Sequence, residues 1–239
     1  MNKNKSIFVT LCLIVSLFIP SAFAMKLTIM TEDLPPYGYL DKNNKVIGIA
    51  TERVNKMLTC AKIDADFFVV PWSRAFQYVK SHKNSIIYSM VRNKTREKDF
   101  FWLGKVAVTN DHIYKLKSRT DIKFSNIDEM KKYTIGVMED DFIVTVLKKQ
   151  GFTVNKNLFY YLDSKIKVKL LLNNRYDLID ENPEVVLFKI KQKAPGYDQL
   201  KKLIPLIKPT PLYAAMNVNS DEDLKKRLKS CMQQTSNIL

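Results

Sequence analysis

Between Lys26 and Met90 the apolar residues switch back and forth between a two-residue and a helical period, and few folds accept that pattern. Lys26–Met30 (KLTIM) alternates and is rich in β-formers, so it reads as a strand. Ala50, Val54, Met57, Leu58 and Ala61 recur at helical spacing within Ile49–Ala61. DFFVV (Asp66–Val70) is again extended. Pro71 then opens a helix at the position where its missing N–H costs least, with Ala75, Phe76 and Val79 on one face. The apolar run Ile86–Met90 closes the series. Strand–helix–strand–helix–strand implies an α/β fold with a largely parallel sheet.

Past Trp102 the pattern returns. Val106–Val108 and Ile113–Tyr114 read as extended, Ile127–Lys131 as a short helix and Thr134–Met138 as a strand. Helix is expected over Phe142–Lys149, stopped by Gly151, then strand over Leu158–Leu162 and helix over Ile166–Asn173. Tyr176–Ile179 should be a strand and Glu184–Lys193 a helix begun by Pro183. Pro205–Pro211 reads as extended, Tyr213–Val218 as a strand, and Ser220 as the cap of a last helix over Asp221–Gln234. Two βαβ halves with a closing strand and helix predict two lobes.

The first 24 residues fall outside this pattern. Lys3 and Lys5 precede the apolar run Ile7–Ile19, and Ala22-Phe23-Ala24 has the small-x-small form of a secretory cleavage site, so export with a cut after Ala24 is expected. The run is short for a membrane span. The formal charge, +15 for the whole chain, would suggest nucleic acid in a cytosolic protein. Export and the scatter of the lysines argue against such a partner. Cys60 and Cys231 remain after cleavage, and the compartment permits a bridge without requiring one.

Ser89–Trp102 (SMVRNKTREKDFFW) gathers Arg92, Lys94, Arg96 and Lys98 directly after the third strand. Ligands in open α/β sheets bind beyond such strand ends. A guanidinium there can grip a carboxylate through two parallel hydrogen bonds. Catalytic signatures are missing by contrast: no nucleophile motif, no glycine-rich phosphate loop and no metal-type Cys/His spacing. His82 and His112 lie among polar residues and read as surface histidines.

Five motifs occur in order: TEDLPPYGY (Thr31–Tyr39), PWSRA (Pro71–Ala75), SM-x-R-x-x-x-RE-x-x-F (Ser89–Phe100), IGV (Ile135–Val137) and NRYDLI (Asn174–Ile179). In order and spacing they resemble the extracellular solute-binding proteins of family 3, the polar-amino-acid-type periplasmic components of ABC importers. The resemblance implies a type II periplasmic binding protein fold, with two α/β lobes joined by two crossing segments around a cleft. Lobe 1 would comprise 25–107 plus 213–239, and lobe 2 108–212. It also implies a monomer that captures a small polar ligand by hinge closure and delivers it to an ABC permease in the inner membrane. An enzyme on the same scaffold, dehydratase-like, and a sensory or host-facing binder without a transporter are the alternatives. The last helix would return Cys231 to lobe 1 near Cys60.

Carried over by position, Arg96 matches the arginine that clamps a ligand carboxylate. Ser89 and the backbone at Met90 and Val91 match head-group contacts, and Tyr37 matches a stacking aromatic. Trp72 and Arg74 belong to the PWSRA motif and would line the cleft. Three departures stand out. The loop after IGV is Glu139-Asp140-Asp141, acidic where a ligand carboxylate is usually received. The acid that grips a ligand ammonium aligns near Asn182, leaving Glu181 as its substitute beside Asp180. Arg92 adds a second cation beside Arg96. With these departures a ligand carrying both charges, or no amino acid at all, fits as well as a standard α-amino acid.

Overall fold

The structure, a computed structural model, describes residues 26–236. The expected leader at 1–24 and the last three residues lie outside the described part. The first strand, β1 (Leu27–Thr31), pairs in parallel with β4 (Ala65–Val69) and with β5 (Ser85–Val91). β5 is buried along its whole length, as a strand covered on both faces must be. Two long antiparallel strands complete the first sheet, β6 (Phe100–Thr109) and β12 (Thr210–Asn217), in the order β4-β1-β5-β12-β6. A two-stranded ribbon, β2 (Tyr39–Leu40) with β3 (Val46–Ile47), stands beside it.

Helices cover both faces. On one side α1 (Ile49–Ala61) and α7 (Glu222–Ser236) bury Val54, Met57, Leu228 and Met232 against Leu27, Ile29 and Ile86. On the other, α2 (Trp72–Ser81) packs Ala75, Phe76 and Val79 against Met30, Ile87 and Phe100. Cys60 on α1 and Cys231 on α7 form a disulfide, with their Cα atoms 5.6 Å apart. The acid that caps α7 is Asp221, whose Oδ1 accepts from the Leu224 amide at 2.8 Å. Ser220, expected there, instead accepts from the Asn84 amide.

The second sheet has the order β11-β7-β10-β8-β9. Its strands are β7 (His112–Leu116), β8 (Ile135–Met138), β9 (Leu158–Tyr161), β10 (Leu178–Glu181) and β11 (Leu200–Pro205). β8 pairs in parallel with β9 and β10, and β7 antiparallel with β10 and β11. The associated helices are α3 (Ile127–Met130), α4 (Phe142–Lys149), α5 (Lys167–Leu172) and α6 (Pro183–Lys191). Gly136 lets β8 pass beneath Tyr176: a Cβ there would lie 2.4 Å from the tyrosine ring, which couples the IGV and NRYDLI motifs physically. The chain crosses between the sheets twice, after Thr109 and again between Pro205 and Thr210.

One irregularity of β5 positions the site. Ser89 has φ 63°, a left-handed conformation in mid-strand. Opposite it, Ile87 faces Ala215 and Met90 faces Tyr213, so three steps on β5 match two on β12: a β-bulge. The bulge reverses the alternation of faces. Ile86 and Tyr88 face α1, whereas Met90, which an unbroken strand would turn the same way, packs on the α2 side with Ile87.

Candidate ligand-binding cleft

A cleft opens between the two sheets, and each of its walls is held by a strand end. The loop after β1 brings Glu32, Asp33 and Tyr37; the bulged end of β5 brings Ser89 and Val91. Asp141 and Phe142 enter from the start of α4, and Asp180, Glu181 and Asn182 from the end of β10. The cleft encloses about 860 Å³ not filled by atoms, its open mouth included.

Arg96 is buried, 5 % exposed, against the faces of Trp72 and Phe76, with its guanidinium carbon 5.6 and 5.2 Å from their ring centroids. Nη1 donates to Val91 O at 2.8 Å on its own lobe, and Nη2 to Asp140 O at 2.7 Å on the other. Asp140 has φ 62°, which points this carbonyl back at the first lobe, and its Oδ2 accepts from Gln77 Nε2 at 3.0 Å. The adjacent Asp141 lines the cleft while its Oδ1 caps α4, accepting from the Ile143 amide at 2.9 Å.

Tyr37 ties the crossings together. Its hydroxyl lies 2.9 Å from Val108 O and 3.0 Å from Glu184 Oε2, either of which can take its proton, and it accepts from Asn182 Nδ2 at 3.1 Å. Burial first, then the Glu184 charge, hold its pKa well above the usual tyrosine range. Asn182 is the cap of α6 through Oδ1, and its Nδ2 also reaches Thr109 Oγ1 at 2.9 Å. Asn182 thus links Tyr37 to Thr109 without adding a charge of its own.

Glu181 carries its own counter-ion: Lys167 Nζ lies 2.8 Å from Oε2, with both side chains almost fully buried, and also donates to Asp180 O at 3.1 Å. Burial is the largest influence and penalises the Lys167 charge, but the combined attraction of its neighbours, Glu181 first and then Tyr161 and Asp180, outweighs it and keeps the pKa above the lysine range. Four other lining acids, Glu32, Asp111, Asp141 and Asp180, lack such a cation among the described residues. Burial, reinforced by the Asp141 charge, raises Glu32 to about 8 and Asp111 to about 7. Burial raises Asp180 to about 8, although Lys167 pulls it down. The Asp180 Oδ1, Ser89 Oγ and Trp72 Nε1 atoms are buried with no hydrogen-bond partner among the described residues.

Of the residues expected at the site, Tyr37, Trp72, Ser89, Val91, Arg96, Asp141, Glu181 and Asn182 line the cleft. Four do not. Met90 is turned into the core by the bulge, with no exposed surface. Arg92 grips Glu97 in a bidentate pair at 2.8 and 3.0 Å on the exposed outer surface, over Trp102. Arg74 is exposed on α2. Asp140 contributes its backbone to Arg96 and its carboxylate to a neighbouring hollow. Neither histidine lines the cleft. Lys167, Glu32 and Asp111 also line the cleft. Glu32 lies within the TEDLPPYGY motif and Asp111 in a crossing segment, whereas nothing local distinguishes Lys167 from the other lysines of the chain.

The profile of the bacterial extracellular solute-binding proteins, family 3, matches residues 27–237. The chain belongs to this family. No protein of characterised function matches its sequence at a significant level. Among solved structures, a histidine kinase sensor domain with similarity to periplasmic binding proteins superposes with a TM-score of 0.77 at 15% identity, covering 89% of this chain and 90% of that one. An ancestral arginine-binding protein bound to glutamine gives 0.75 at 18%, covering 89% and 92%. The arginine-, lysine-, histidine-binding protein ArtJ of Geobacillus stearothermophilus gives 0.75 at 16%, covering 89% and 90%. At such identities these likenesses establish the type II periplasmic binding protein fold.

Proposed function

We propose that this protein is an exported, periplasmic binding protein that closes its two lobes over one small polar solute and delivers it to an ABC permease in the inner membrane. The observation that carries this reading is the pair of orphaned polar atoms facing one cleft from opposite lobes, Ser89 Oγ on β5 and Asp180 Oδ1 on β10. Buried polar atoms are nearly always paired, so a cleft that leaves one on each lobe is built for a partner that touches both. Such a ligand favours the closed form by its differential contacts, as ligand-driven closure requires. Membership of a solute-binding family supports the same reading.

A thermal-shift screen of the purified protein over amines, amino acids, organic acids and small peptides tests it. A solute at 100 times its dissociation constant should add about 2.7 kcal/mol of stability. A folded protein whose melting point no solute moves contradicts the proposal. The fold shared with a histidine kinase sensor domain supports a second reading, in which the same capture feeds a receptor. Ligand-dependent co-purification with a permease separates the two.

A further inference from the structure

The charges lining the cleft do not balance, and the imbalance has a direction. Six acids and four basic residues line it, and three of the bases are already engaged. Arg96 donates one N–H from each of Nη1 and Nη2 to the carbonyls of Val91 and Asp140 and is held between two aromatic faces. Lys167 is held by Glu181, and Lys189 lies 3.4 Å from Asp33. Lys165 is exposed. Among the acids, Glu32, Asp111, Asp141 and Asp180 lack a cation in ion-pair range among the described residues, and of these Asp141 alone caps a helix. The helix dipole of α4 points its positive end at the cleft, where a ligand carboxylate could settle. That place is taken by the protein's own Asp141 carboxylate, bonded to the Ile143 amide.

An entering carboxylate would therefore meet Asp141 at the helix end and cations that have already found partners. It would also lie beside Glu32 and Asp180, whose ionised forms would repel it. An entering ammonium or guanidinium meets the opposite field. It supplies N–H donors to Asp180 Oδ1, a carboxylate oxygen 7 % exposed by residue and without a partner, and to Ser89 Oγ, 6 % exposed and equally orphaned. Trp72 Nε1, the remaining orphan, is a neutral donor and asks only for a neutral acceptor. The raised pKa values of Glu32, Asp111 and Asp180 have the same origin: acids crowded in a buried space without positive charge hold protons in its place.

We propose that the solute is an organic cation without a carboxylate, a primary amine or guanidinium compound, and that Asp180, Glu32 and Asp111 neutralise it. This rests on the binding-protein reading above. On binding, the cation replaces protons on these acids, which pass to solvent, so capture is accompanied by proton release.

Calorimetric titration with two matched pairs, agmatine against arginine and cadaverine against lysine, tests this directly. The members of each pair differ by one carboxylate. The decarboxylated member should bind at least tenfold more tightly. Asp180→Asn should weaken its binding at least tenfold with the melting point kept, and Glu32→Gln serves the same purpose should Asp180→Asn fail to fold. Asp141→Ser, which keeps a capping hydroxyl and removes the charge, should narrow the preference within each pair. Equal or tighter binding of the amino acids overturns the inference but leaves the binding-protein reading standing, as does binding of neutral or anionic solutes alone. Failure of every solute in the thermal screen sinks both.

Discussion

Arg96 reaches across the cleft to Asp140, its Nη2 2.7 Å from the Asp140 carbonyl oxygen, so the arginine expected to clamp a ligand instead joins the two lobes. Hydrogen bonds to charged groups contribute about 1.5–3 kcal/mol each. Lobe closure contributes to affinity in proportion to the population of the closed state. Arg96→Ala should thus weaken solute binding by roughly tenfold to a hundredfold, and Arg96→Lys, which keeps the charge but loses the fork, should recover part of it. Titration calorimetry on the solute selected by the thermal screen measures both. Unchanged affinity in Arg96→Ala would show that the strap is irrelevant to closure.

The Cys60–Cys231 bridge closes a span of 171 residues and pins α1 to α7, and neither cysteine lines the cleft. The loop-entropy model assigns such a bridge on the order of 4–5 kcal/mol. The Cys60→Ser/Cys231→Ser double variant should lose stability of that order in a denaturant titration while the dissociation constant stays within about twofold. A variant as stable as the parent would contradict the first expectation, and a large loss of affinity the second.

The cleft also makes stability depend on pH. Facing one another there are Glu32 and Asp33 from the loop after β1, Arg96 from the loop after β5, and Asp111 from a crossing. Asp141 joins them from α4, Lys165 and Lys167 from the α5 region, Asp180 and Glu181 from β10, and Lys189 from α6. Glu32, Asp111 and Asp180 have folded-state pKa values raised to about 8, 7 and 8. Raised acids stabilise the folded protein fully below their unfolded values near 4, and that stability is lost as the pH climbs through 7 to 8. The melting point of the unliganded protein should fall by several degrees between pH 6 and 9, at roughly 2–4 °C per kcal/mol for a chain of this size, and Glu32→Gln should flatten the slope. A melting point that rises across this window would contradict the assignment.

Tyr37 and Asn182 form a neutral joint, the Asn182 Nδ2 bridging the Tyr37 hydroxyl and Thr109 Oγ1. Tyr37→Phe leaves the ring in place and orphans the groups around it. It should cost about 1–3 kcal/mol in stability, read by denaturant titration. Asn182→Asp adds a charge beside Glu181 and Glu184 and should destabilise the protein further. Equal stability of parent and Tyr37→Phe would show the joint to be idle.

Local signals in the sequence carried much of this fold. The amphipathic spacing of Ile49–Ala61 and of Phe142–Lys149 reproduces the bounds of α1 and α4, because both helices show one apolar face and a sharp stop. What was not legible depended on distant partners. Leu200–Pro205 is an edge strand whose exposed Lys201 and Lys202 mask its pattern. The Ser89 bulge, which removes Met90 from the cleft and aims Ser89 into it, arises from the register with β12 rather than from any residue type in β5. Arg92 found Glu97 five residues on, a pairing no helical or strand spacing announces. Lys167 and Glu181 are separated along the chain and meet only when α5 packs on β10.

The most direct test is a calorimetric comparison of four variants with the parent, using the solute that gives the largest thermal shift. Ser89→Ala removes the orphaned hydroxyl of one wall of the cleft and Asp180→Asn the carboxylate charge of the other; Arg92→Ala and Arg74→Ala remove the cations that lie outside it. Loss of about tenfold or more in affinity for Asp180→Asn, a smaller loss for Ser89→Ala, and changes within about twofold for the two arginine variants are predicted, since a hydrogen bond to a charged group is worth about 1.5–3 kcal/mol and a neutral one about 0.5–1.5. Intact affinity in both wall variants, with loss in Arg92→Ala or Arg74→Ala, would place the binding site elsewhere on the protein.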